Sequence, residues 1–132
     1  MSVKAITGKY YELVIKLYKN INSEQIKWVK ALNSEFYTAE ISSKFKLRVY
    51  KNVSNLATRY IFRMYDDGGI KIFEITSEKN GQDQVIIDGE TMMINDILEE
   101  IYEWASAYSS DIIEKIDKAS DLLDDLTAVK QK

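Results

Sequence analysis

Histidine, cysteine and proline are all absent from this 132-residue chain, and glycine occurs five times. Without histidine the chain lacks the side chain that most often moves protons near neutral pH. Without cysteine it has no thiolate nucleophile, no disulfide and no sulfur ligand for a metal. Ser-His, Cys-His and His-rich zinc sites are therefore excluded. Asp, Glu, Lys, Tyr, Ser and Thr remain for chemistry, and none recurs at a catalytic spacing. No catalytic residue, metal site or cofactor is implied.

Long apolar runs are also missing. No uncharged stretch approaches the ~18 residues that cross a bilayer, so no membrane association is expected. Residues 1–15 contain no apolar core with a small-residue cleavage site, so no secretory leader is expected and the cytoplasm is the default compartment. A hydrophobic content of 45% and a charged content of 30% fit one ordinary globular domain over 1–132.

The net charge of -3 conceals an asymmetry. Residues 1–87 hold fourteen basic and nine acidic residues, whereas 88–125 hold twelve acidic and two basic. A basic front and an acidic back point to two surfaces with different partners, or to surfaces that attract each other.

Hydrophobic periodicity divides the chain into three parts. Ile6, Tyr10, Leu13, Val14, Leu17 and Ile21 recur at helical spacing and predict an amphipathic helix over 3–21. From 25 to 76 the period falls to two, predicting strands at 25–29, 36–41, 45–51, 58–65 and 70–76. Ser42-Ser43-Lys44 and Asp66-Asp67-Gly68-Gly69 supply turns, the second because glycine accepts positive φ. Over 77–95, Asn80-Gly81 is a turn, and 85–94 reads equally as a short hairpin or a loop. From Asn95, a good N-cap, the helical period returns. The segment 95–127 is one helical arm, or two helices broken at Ser109-Ser110, with Asp111 and Glu114 as a capping box. The expected fold is α+β: an N-terminal helix, an antiparallel meander of about four to five strands, and a long acidic C-terminal helix or helix pair.

Three constellations bear on function. Lys44, Lys46 and Arg48 share one face of the third strand, and Arg59, Arg63 and Tyr65 share one face of the fourth. If those faces coincide, they form a cationic, aromatic patch for an acidic partner or a nucleic-acid backbone. An overall acidic chain without an RNP-like aromatic motif makes nucleic acid the lesser of the two. Asp117, Asp121, Asp124 and Asp125 lie on one helical face, but without calcium-loop spacing or its glycine they read as a solvated side. Finally, Ile101, Tyr108, Ile112, Ile116, Ala119, Leu123 and Leu126 form a near-heptad seam suited to self-association. Trp28 and Trp104 read as core or half-buried anchors.

The succession of a helix, Gln25-Ile26-Lys27-Trp28, Phe36-Tyr37-Thr38-Ala39-Glu40-Ile41, the Asp66-Asp67-Gly68-Gly69 hairpin and an acidic terminal helix resembles small bacterial and phage α-β-β-β-α proteins with a closing helix. The resemblance implies a bacterial or phage origin and transfers no activity and no catalytic residue. The 77–95 segment and the long helical tail depart from that pattern.

The function expected from these features is a non-enzymatic protein–protein interaction module of the inhibitor, immunity or adaptor kind, working through the acidic C-terminal helix and the sheet surface. Its expected partner is a protein, with a basic target surface and a second copy of the chain as the two forms considered. A nucleic-acid-binding sheet and a small His-free carboxylate enzyme are the alternatives.

Overall fold

The computed structural model describes residues 3–31, 36–77 and 83–130. Helix α1 (Val3–Lys19) is followed by five strands: β1 (Val29–Lys30), β2 (Phe36–Ile41), β3 (Phe45–Val53), β4 (Thr58–Asp66) and β5 (Lys71–Thr76). These pair in chain order as one antiparallel meander. A separate hairpin, β6 (Gln84–Ile87) with β7 (Glu90–Met93), precedes α2 (Ile94–Ser109) and α3 (Ile112–Lys130). Among the described residues no helix is long and apolar enough to cross a membrane.

Alternation decides which side of the sheet is buried. Ala39, Leu47, Val49, Phe62, Met64, Phe73 and Ile75 are buried, and their strand neighbours are not. Helix α2 closes this face with Ile94, Ile97, Leu98, Ile101 and Ala105. Helix α1 adds Val14 and Leu17, and Tyr10 stacks on Phe73 with ring centres 4.3 Å apart. The Tyr37 hydroxyl donates to Ser106 Oγ (3.2 Å), tying β2 to α2.

Several sequence expectations need correction. Residues 25–28 are not a strand: β1 has two residues, and Trp28 is buried from an irregular approach segment. Its anchoring comes from tertiary packing and from Ser109 Oγ, which donates to the Trp28 carbonyl (3.2 Å). Asn95 does not cap α2; Met93 holds that position without a side-chain cap, and the Ile94 amide donates to the Asp83 carbonyl (3.0 Å). The preceding hairpin delivers the chain straight into the helix, so no separate capping residue is required. That hairpin settles 85–94 through a two-residue Asp88-Gly89 turn, with φ of 50° and 85°. The Asn80-Gly81 turn lies outside the described residues.

The C-terminal segment is two helices. Ser110 ends α2, and Asp111 adopts a left-handed φ of 62° while its amide donates to the Tyr108 carbonyl (3.3 Å). This is the residue after a C-cap, a place where Asp tolerates the left-handed region better than most residues. The Asp111 carbonyl then accepts from the Lys115 amide (3.0 Å), starting α3 at once.

Helix α1 is fastened by polar contacts at its C-terminal half. The Tyr18 hydroxyl donates to Glu100 on α2, and Lys19 Nζ lies 2.9 Å from Asp88 Oδ1. The bond to the Glu100 carboxylate, then burial, pushes the Tyr18 phenol up to about 12. A phenol raised in the folded state favours folding below its unfolded value near 10, and that contribution is lost as pH rises from about 10 to 12. In an absorbance titration at alkaline pH, the Tyr18 phenol is expected to ionise late. Tyr18→Phe should remove that late phase, and identical curves for the two proteins would disprove the assignment.

Candidate functional site

Two surfaces stand out, and they lie on different elements. The first is α3. From Glu114 to Thr127 every residue of this helix is exposed. Ile116, Leu122, Leu123 and Leu126 retain 59–63% of their surface in water. At about 100° per residue, these four and Ala119 occupy an arc of roughly 120°. Glu114, Asp117, Asp121, Asp124 and Asp125 fall on an arc of roughly 100° directly opposite. The apolar stripe is thus free of carboxylates, and Lys115 alone interrupts it near its start.

The self-association seam expected from sequence is divided by the joint at Asp111. Ile101 is fully buried in the domain core, and Tyr108 is half-buried beside it. Ile116, Ala119, Leu123 and Leu126 are exposed on α3. Ile112 lies outside the described side chains. A single seven-residue surface therefore does not exist, because its first part already faces the sheet. Leu122, which the heptad spacing missed, belongs to the exposed stripe; a period of 3.6 would have included it. Where α3 leaves the body, a cavity of ≈ 630 Å³ opens between Ile21, Lys27, Trp104, Tyr108, Ile113 and Asp117.

The second surface is the face of the meander opposite α1 and α2. Lys46 pairs with Tyr65, Arg48 with Arg63 and Asn52 with Arg59, so the cationic positions of β3 and β4 coincide on this face. Lys44 does not belong to it in the way expected: it lies in the turn after β2, its amide donating to the Ile41 carbonyl (3.0 Å). The left-handed Ser42 and Ser43 end the strand pattern before Lys44 is reached.

The cations on this face interleave with rings. The Arg48 guanidinium carbon lies 4.6 Å from the Tyr65 ring centre and 5.1 Å from that of Phe36. Arg63 lies 4.6 Å from the Tyr50 ring centre and forms an ion pair with Glu74. Burial acts to lower the Arg63 pKa, but hydrogen bonds with Glu74, Tyr65 and Tyr50 outweigh it and hold the guanidinium above its usual value. Burial alone would raise the Tyr65 phenol; the Arg63 and Tyr50 bonds and the nearby charges bring it below its ordinary value instead. Such contacts fix the planes of the side chains without cancelling their charge.

At the end of this face a cavity of ≈ 410 Å³ brings Glu40, Asp66 and Asp67 near Lys44, Lys46 and Arg48. Asp66 Oδ1, however, accepts the Gly68 and Ile70 amides, both at 2.9 Å, and so serves the β4–β5 turn. Among the described residues no group of three or more His, Cys, Asp or Glu is placed to hold a metal ion. No family model matches the chain, and no curated protein or solved structure matches it.

Proposed function

We propose that the protein is a non-enzymatic interaction module whose binding element is α3. The observation that carries this reading is the exposed aliphatic stripe of Ile116, Leu122, Leu123 and Leu126. A monomer gains nothing by holding four large side chains in water on one arc of a helix. Completing their burial is worth about 4–7 kcal/mol in total, taking roughly 1.5–3 kcal/mol per side chain and the exposed fraction of each. Association itself costs about 4–15 kcal/mol, so the partner must wrap the helix rather than touch it, as in helix-in-groove recognition. The acids lie on the far side of the stripe, so they form the solvated back of the bound helix. They do not point at the target, and this favours an apolar groove over a basic one.

Self-association is the second reading, favoured by the same placement. Positions 116, 119, 123 and 126 step by three, four and three, and two such stripes can meet without opposing carboxylates. Light scattering at tens of micromolar separates the two readings: a dimeric mass supports pairing between copies, and a monomeric mass leaves the groove.

The test of the module itself uses a photo-reactive residue at position 122, with position 84 as a surface control. Discrete protein adducts should form from 122 and not from 84. They should fall at least tenfold when Ile116→Lys and Leu123→Lys are combined, with the domain still folded. The same adducts from both positions, or adducts indifferent to the two lysines, would overturn the proposal.

A further inference from the structure

A second binding surface follows from the open sheet face, independently of α3. In a chain of net charge -3, this face gathers Lys46, Arg48, Arg59, Arg63 and Lys71 against Glu40 and Glu74, with Asp66 and Asp67 at its end. Glu74 is engaged by Arg63 and lies 3.9 Å from Lys71. Lys46 and Arg48 have no carboxylate partner among the described residues. Arg48 and Arg63 are moreover directly opposite one another on adjacent strands, a like-charge placement that a bound anion relieves.

We propose that this face binds single-stranded nucleic acid through its phosphates, with Lys46 and Arg48 at one end of the track. Along β3 and β4 the paired positions Lys46–Tyr65, Arg48–Arg63, Tyr50–Ile61 and Asn52–Arg59 succeed each other every second residue. The track is about 20 Å long at roughly 3.3 Å per residue. Cations and rings share the track, with Tyr65 opposite Lys46 and Tyr50 next after Arg48, as suits a polymer that carries both phosphates and bases. Phe36 and Tyr65 hold the Arg48 guanidinium in place, so little side-chain freedom is lost when it meets a phosphate. Helices α1 and α2 pack on the other side of the sheet, which keeps the acids of α2 behind the track.

The experiment is fluorescence anisotropy of the full chain with an end-labelled dT strand of about 20 nucleotides, the binding-site length of one or two small sheet modules. Saturable binding is expected, weakening about 20- to 50-fold between 50 and 200 mM salt, as for three to four phosphates neutralised on a single strand. Lys46→Glu, at an exposed position, should weaken binding at least tenfold at the lower salt without changing the thermal midpoint. Arg48→Lys, which keeps the charge and loses the flat stacked fork, should weaken it less than Lys46→Glu and carries the test if the glutamate variant does not fold. Absence of saturable binding at 50 mM salt overturns the proposal, as does Lys46→Glu binding like the parent. Displacement by a polyglutamate of equal length as effective as by unlabelled strand assigns the face to an acidic protein instead. Displacement by inorganic phosphate at matched ionic strength reduces it to a free-phosphate site, and either result rejects the nucleic-acid reading.

Discussion

Ile101→Ala should lower the stability of the protein by about 2–5 kcal/mol, whereas Leu123→Ala should change it by less than about 0.5 kcal/mol. Both residues belong to one heptad-like series in the sequence. Ile101 is wholly buried on the α2 face that closes the sheet, and alanine there leaves a cavity in a core whose strands are held by their pairing. Leu123 is 63% exposed, so its truncation removes little contact and leaves a better helix former in place. Urea unfolding of the two variants checks this at a concentration where the protein is monomeric. Equal losses would show that α3 is packed as tightly as α2 and would remove the basis for treating it as a binding element.

Trp28→Ala should cost about 3–5 kcal/mol, while Trp28→Phe should cost less than about 1.5 kcal/mol. Trp28 is 2% exposed and is among the largest fully packed side chains in the protein. Its indole Nε1 is buried with no hydrogen-bond partner among the described residues. An unsatisfied buried donor carries a penalty of about 1–3 kcal/mol, so phenylalanine loses volume but also removes that penalty. Thermal or denaturant unfolding of both variants gives the comparison. If phenylalanine were as damaging as alanine, the indole nitrogen would have to be bonded in solution, through water, and the packing argument would fail.

Sequence pattern reached the sheet more surely than the segments around it. Strands β2 to β5 announce themselves because one face is buried and the other is not, so alternation is forced: Leu47 and Val49 inside, Lys46 and Arg48 outside. Their turns were legible because Asp66 and Gly69 satisfy backbone needs that few residues meet. The sequence leaves open whether the β3 and β4 cations coincide, because no turn signal between 52 and 57 fixes the register; strand pairing places Arg48 opposite Arg63. Residues 25–28 misled because half-buried Ile26 and buried Trp28 alternate with exposed Gln25 and Lys27, although β1 begins only at Val29. Asn95 misled because its cap chemistry is generic, whereas the entry of α2 is set by a bond from Ile94 to Asp83 across the hairpin. Most consequentially, apolar spacing from 101 to 126 could not reveal that Asp111 takes a positive φ. Backbone handedness at one residue is invisible to periodicity, yet it decides which half of the series faces the core.

That residue also gives the molecule a lever. The 19 residues of α3 measure about 28 Å at 1.5 Å per residue, so a turn of roughly 10° about Asp111 carries its tip about 5 Å. The left-handed conformation costs an L residue about 1–2 kcal/mol relative to the right-handed one. Passing Asp111 into the right-handed region would fuse α2 and α3 into a rod from 94 to 130, about 55 Å long. Asp111 itself is exposed, so the pivot lies at the surface. Under the proposed function, the angle at which α3 would meet a partner is set by a single backbone torsion at Asp111.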